Sequence, residues 1–190
     1  MTGRVVLLDR DGVLNRMVVD AEHGTIDSPL HEDQVHLVDG AAEACARLAD
    51  AGYQLHIVSN QPAAAKGKTT LQNLEAVLAR VVRDGGGARV IRSARMCVHR
   101  AEDGCACRKP RVGMLEAAWQ LAGAPPRDQV WMVGDGVTDV QAGVAFGART
   151  AFLSPDKPEL RNVFADRGLA PSHWCTDLAA FANFLLRKSP

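Results

Sequence analysis

The chain of 190 residues reads as an α/β protein, a parallel sheet with helices on both faces. Three observations predict this. Short β-branched and leucine runs alternate with stretches of helical periodicity along the whole chain. Glycines close the helical stretches, at Gly52, Gly85-Gly86-Gly87, Gly123 and Gly147. Acidic and amide residues cluster just beyond several strands, where ligands bind in sheets of this kind.

The elements follow in order. Arg4–Leu8 is a buried strand by length and composition. Residues 40–51 put Ala41, Ala44, Cys45, Leu48 and Ala51 on one helical face, and residues 54–59 form a second strand. Residues 69–83 carry Leu71, Leu74, Val77, Leu78, Val81 and Val82 at helical spacing. A third strand, weakened by its arginines, spans 88–96, and a helix over 112–122 stops at Gly123 and Pro125-Pro126. A strand at 130–133, a helix at 138–146 and a strand at 150–153 come next. A helix over 158–167, a short strand at His173–Cys175 and a helix at Leu178–Arg187 complete a single domain spanning residues 1–190. Neither an internal repeat nor a low-complexity linker interrupts it.

Composition narrows the partners. Lys plus Arg (22) balance Asp plus Glu (22), so no net field draws nucleic acid or an anionic membrane. An anionic ligand must then be held by a few local cations. No apolar run approaches the roughly 18 residues of a membrane span, and residues 1–12 do not read as a signal peptide. The expectation is a cytoplasmic monomer acting on a small molecule. The five cysteines, an odd number without an export signal, argue against a disulfide framework.

Chemistry concentrates at the strand ends. Asp9-Arg10-Asp11-Gly12-Val13-Leu14-Asn15 follows the first strand, and Gly134-Asp135-Gly136-Val137-Thr138-Asp139 follows the fourth. Carboxylates brought together in a low-dielectric cleft repel unless a cation lies among them, and a hard ion such as Mg²⁺ suits them. The plainer alternative is that these acids cap turns and helix starts. Ser59-Asn60 and the loop from Met96 to Pro110 reach the same edge.

That loop holds Cys97-x-His99-x5-Cys105-x-Cys107, running into Arg108-Lys109-Pro110. Three thiols and an imidazole suit a closed Cys₃His structural Zn²⁺ site, with free cysteines and an unrelated histidine as the bland reading. Cys45 and Cys175 read as core thiols, and His31 as a surface residue.

Asp9-x-Asp11-Gly12-Val13, Ser59-Asn60, Lys109 and Gly134-Asp135-x-x-x-Asp139 together resemble the four motifs of the haloacid dehalogenase superfamily, over residues 4–155. The resemblance implies a three-layer αβα Rossmann-like fold and a phosphatase. In it Asp9 is the nucleophile, and Asp11 the acid and base whose backbone carbonyl meets Mg²⁺. Asp9 and Asp135 supply the side-chain metal ligands, Ser59 and Asn60 donate to the phosphoryl group, and Lys109 offsets its charge. Asp139 orients the metal's waters or the loop. Cys-x-His and Cys-x-Cys-Arg-Lys-Pro, with Ser59-Asn60-Gln61, Lys66-Gly67-Lys68 and Gly113-Met114, are similar to the heptose 1,7-bisphosphate phosphatases and the related histidinol-phosphate phosphatases.

This similarity implies an open site without a large cap, hydrolysing a phosphorylated sugar. Heptose 1,7-bisphosphate going to the 1-phosphate is favoured. Histidinol phosphate, phosphoryl transfer to a sugar hydroxyl, and a silent zinc-braced binding module are the rivals. Arg108 is the expected clamp on a substrate phosphate or hydroxyl, against a solvent-facing arginine. Arg10, Lys66 and Lys68 are weaker candidates. Pro62-Ala63-Ala64-Ala65, Gly136 and residues 22–29 depart from the family's pattern, all in substrate-facing loops.

Overall fold

A computed structural model describes residues 3–20, 24–154 and 159–187. The central sheet is six-stranded and wholly parallel. It consists of β1 (Arg4–Leu8), β4 (Tyr53–Asn60), β5 (Ile91–Cys97), β6 (Val130–Gly134), β7 (Arg149–Leu153) and β8 (His173–Cys175) in the order β5-β4-β1-β6-β7-β8. Two small strands, β2 (Val18–Asp20) and β3 (Thr25–Asp27), pair separately as an antiparallel hairpin.

Alternation along β1 divides the core. Val6 and Leu8 face one side, with α1 (Ala41–Asp50), α2 (Leu71–Asp84) and α6 (Leu178–Arg187), in a cluster that includes Leu48, Val77 and Phe181. Val5 and Leu7 face the other side, with α3 (Gly113–Leu121) and α4 (Val137–Phe146), among Leu115, Ala118, Ala142 and Phe146. Buried on both faces from Val5 to Leu8, the strand therefore has no polar side chain between Arg4 and Asp9. A smaller cluster joins Phe152 and Trp174 to Phe164 of α5 (Glu159–Asp166).

Boundaries move where a local bond decides them. The third strand starts at Ile91 rather than 88, because the Val90 and Ile91 amides turn back to the Gly87 carbonyl at 3.0 and 2.9 Å. α2 starts at Leu71, since Thr70 caps it by accepting from the Asn73 amide at 3.1 Å. Leu71, expected on the apolar face, is consequently 48% exposed. The expected start of α5 at 158 lies outside the described residues.

The hairpin has no counterpart in the sequence reading, because three-residue strands are too short to show a period. Among the described residues, it and a 3₁₀ turn at Glu32–Gln34 are the elements between Asn15 and Gly40, a segment too short to hold a large cap. Val19 and Ile26 pair across it and are 68% and 67% exposed.

Candidate active site

The chain runs from β1 outward to β4 and β5, then returns to place β6 on the other side of β1. This reversal opens a crevice between the carboxyl ends of β1 and β6, where such sheets bind ligands. Asp9 leaves β1 there and Asp135 leaves β6. The Asp9 amide donates to the Val133 carbonyl at 2.9 Å, extending the ladder one residue into the site.

Asp9 is held at one oxygen. Its Oδ1 accepts from the Arg10 amide at 2.7 Å and lies 3.0 Å from Lys109 Nζ. Among the described residues, no hydrogen bond reaches Oδ2. A carboxylate fixed this way presents its second oxygen for attack.

Lys109 comes from the segment after β5, and its side chain is 1% exposed. Its Nζ donates to the Val58 carbonyl at 2.7 Å and lies 2.6 Å from Asp139 Oδ1. Burial pulls the ammonium down, but the charges of Asp139 and Asp9 overcome it and hold the group above the ordinary lysine range. Asp139 Oδ2 accepts from the Gly136 amide at 3.0 Å. Asp139 thus orders the β6–α4 turn and neutralises Lys109.

Asp9, Asp135 and Asp139 each bring one oxygen within 4.8 Å of the others. Asp135 keeps a side open to solvent, yet loss of water in the cleft, then the charges of Asp9 and Asp11, push it up to about 6. A hard divalent cation removes that penalty, so the donor set fits Mg²⁺.

The Asp11 carboxylate is not one of these three. Oδ1 accepts from Arg10 Nε and Nη2 at 3.1 and 2.9 Å and from Asn15 Nδ2 at 2.9 Å. Oδ2 accepts from Arg10 Nη2 at 3.0 Å, Gln61 Nε2 at 2.5 Å and Ser28 Oγ at 2.9 Å. Arg10 is therefore corrected: it is fully buried against Asp11 and does not reach the cleft as a phosphate contact. Gln61, Asn15 and Ser28 were not singled out as partners of Asp11. Ser28 and Gln61 arrive from separate turns, which nothing local marks, whereas Asn15 lies four residues on in the same loop.

The other expected residues divide. Asn60 lies across the Lys109 peptide, donating from Nδ2 to its carbonyl and accepting at Oδ1 from its amide, both at 3.0 Å. Ser59 is buried and its Oγ accepts from Gln61 Nε2 at 2.9 Å. Arg108 is half-buried, with Nη1 donating to the His99 carbonyl at 3.3 Å. Lys68 pairs with Asp27 of the hairpin. Lys66 and His31 are exposed.

Beside this site, Cys97, His99, Cys105 and Cys107 converge, with ligand atoms within 4.8 Å of one another. Cys97 Sγ lies 3.6 Å from His99 Nδ1, 3.6 Å from Cys105 Sγ and 3.1 Å from Cys107 Sγ. Cys107 Sγ lies 3.3 Å from His99 Nδ1 and 3.5 Å from Cys105 Sγ. Such a cluster can hold a metal ion. Cys45 and Cys175 are core thiols as expected, and burial pushes Cys45 up to about 12.

The fold and these motifs define a class. Residues 19–147 match the haloacid dehalogenase-like hydrolase family. The chain belongs to that family. Among its relatives is the D-glycero-beta-D-manno-heptose-1,7-bisphosphate 7-phosphatase of Bordetella bronchiseptica, 32% identical over 98% of this chain and 99% of the other. The protein of the same name from Pseudomonas putida is 35% identical over 82% of this chain and 85% of that one. A crystal structure of a D,D-heptose 1,7-bisphosphate phosphatase from B. bronchiseptica, complexed with magnesium and phosphate, superposes with a TM-score of 0.79. It is 30% identical, and the match covers 98% of this chain and 99% of that one.

Proposed function

We propose that this chain is a Mg²⁺-dependent phosphatase that hydrolyses D-glycero-D-manno-heptose 1,7-bisphosphate to the 1-phosphate. The observation that carries the mechanism is the half-held carboxylate of Asp9, with Oδ1 pinned by the Arg10 amide and Lys109 and Oδ2 free at the sheet's switch point. Heptose as substrate is supported by the names of the relatives and by an open edge suited to a sugar phosphate.

Asp9 Oδ2 attacks phosphorus in line with the bridging oxygen, whose bond to phosphorus breaks as Asp11 gives it a proton. Asp11 then takes a proton from water, which attacks the aspartyl-phosphate and releases Asp9 and inorganic phosphate. Lys109 stabilises charge gathering on Asp9 and the phosphoryl oxygens. Ser59 and Asn60 donate to the phosphoryl through the hydroxyl hydrogen and the second Nδ2 hydrogen. Mg²⁺, held by the Asp9 and Asp135 side chains and the Asp11 carbonyl, supplies further neutralisation of the phosphoryl oxygens when bound. Arg108 clamps the remote phosphate or a hydroxyl of the sugar.

Cys97, His99, Cys105 and Cys107 hold a structural Zn²⁺. Tetrahedral ligands at roughly 2.0–2.3 Å from zinc stand about 3.5–3.8 Å apart, close to the separations found. Four protein ligands leave no open position, so this ion braces Arg108 and Lys109 and takes no part in chemistry. The reading places the protein in the cytoplasm as a monomer. Consistent with this, no helix among the described residues is long and apolar enough to cross a membrane.

Phosphate release with Mg²⁺ tests the reading. Heptose 1,7-bisphosphate is expected to exceed histidinol phosphate in kcat/KM, and a reversed preference overturns the substrate. EDTA should stop turnover and Mg²⁺ restore it. Asp9→Asn should abolish it, and sustained turnover by purified Asp9→Asn would remove the nucleophile assignment.

A further inference from the structure

Arg10 is an arginine with no exposed surface, sandwiched in sequence between the two acids of the site. Its fork grips one plane of Asp11, with Nε and Nη2 at 3.1 and 2.9 Å from Oδ1. Nη2 also donates to Gln61 Oε1 at 2.9 Å. Gln61, itself 1% exposed, turns its Nε2 to Asp11 Oδ2 at 2.5 Å and to Ser59 Oγ at 2.9 Å. Its backbone amide is anchored on the Cys97 carbonyl at 2.6 Å. One buried side-chain amide therefore links the guanidinium, the carboxylate and the serine.

Stability does not explain this arrangement. A buried guanidinium loses its hydration, and Arg10 Nη1 is buried with no hydrogen-bond partner. An apolar pair in place of both Arg10 and Asp11 would fill the same space without either penalty, so the pair is not needed for folding, although removing Arg10 alone leaves Asp11 without its counter-charge. Geometry does explain it. A planar, bidentate grip fixes the rotation of the carboxylate plane, which a single ammonium cannot do. A group that must hand a proton to a leaving oxygen needs that orientation before substrate arrives.

We infer that Arg10 and Gln61 are positioning residues for Asp11, a buried bracket that sets the direction of proton delivery to the leaving group. The inference rests on the phosphatase reading above. Proton delivery matters greatly for an alkoxide leaving group and little for 4-nitrophenolate. kcat/KM reports only steps up to departure of the leaving group, so the later attack of water does not enter it.

The experiment compares kcat/KM for a primary sugar phosphate, fructose 1,6-bisphosphate, with that for 4-nitrophenyl phosphate, both with Mg²⁺. It uses the unmodified chain, Arg10→Met, Arg10→Lys and Gln61→Met, with thermal melts alongside. The alkyl-to-aryl ratio is expected to fall by about tenfold or more in Arg10→Met and Gln61→Met, part of the effect of general acid catalysis. Arg10→Lys, which keeps charge but not the fork, should not restore the ratio, and Arg10→Met, which strands the Asp11 carboxylate, should melt below the parent. An unchanged ratio in the folded variants overturns the inference. If Arg10→Met fails to fold, Gln61→Met, which leaves the charge in place, decides the positioning role by its ratio. An unmodified chain inactive on both substrates overturns the phosphatase reading first and this assignment with it.

Discussion

At Gly12 the backbone passes through φ +74°, and a Cβ there would stand 2.0 Å from Asp135 Oδ2. Both facts demand glycine, the first for conformation and the second because the two acidic loops touch at this point. Gly12→Ala should lower stability by about 1–2 kcal/mol, the cost of holding alanine at a left-handed angle. It should also displace Asp135 and weaken Mg²⁺ activation. Denaturant melts and a Mg²⁺ titration check this, and an unchanged titration would show that the close approach is dispensable. Gly134, at the end of β6, shares only the second reason, since a Cβ there would meet the Asp139 carboxylate at 2.2 Å.

The segment from Cys97 to Lys109 has too little apolar surface to hold itself in place, yet it delivers the lysine that touches Asp9. Backbone acceptors tie it down at few points. Arg111 Nη1 donates to the Cys105 carbonyl at 2.6 Å, and the Gly113 amide to the Ala106 carbonyl at 3.1 Å. Arg100 reaches the Ala65 carbonyl and Lys68 reaches Asp27, so the Cys₃His loop, the loop after β4 and the hairpin are linked in series. Cys105→Ser should reduce bound zinc well below about one ion per chain and slow turnover by up to about a hundredfold, as Lys109 loses its position. Metal analysis beside activity checks it, and a variant with full zinc and full activity would remove the bracing role.

Across the whole molecule, one buried histidine makes folding depend on pH. His56 lies inside the sheet on β4, with Nδ1 2.8 Å from Ser93 Oγ and Nε2 buried without a partner. Burial, then the charges of Arg95 and Arg92, lower it from 6.5 to about 4. The folded chain keeps His56 neutral where the unfolded chain accepts a proton. Stability from this group is therefore complete above pH 6.5 and is lost as pH falls towards about 4. The loss is on the order of 3 kcal/mol. His56→Gln should flatten unfolding free energy across that window, and a parent and variant with the same slope would contradict it.

Much of this was legible in the chain because it rests on short-range rules. The six parallel strands, the helices between them and the polar residues at their carboxyl ends follow from periodicity, glycine stops and strand length, which act over a few residues. Asp9, Asp135 and the Cys₃His group were readable from residue type and spacing, the two acids lying just beyond strand ends, whereas Lys109, twelve residues past the end of β5, was legible only through the resemblance to the family's motifs. What only the tertiary structure decided is which groups meet across loops. Arg10 turned inward to Asp11, Asn60 crossed the Lys109 peptide, Asp139 took up the lysine, and the hairpin brought Ser28 to Asp11. These partners come from turns up to about fifty positions apart, and their pairing depends on chain reversal at the switch point, which no local pattern encodes.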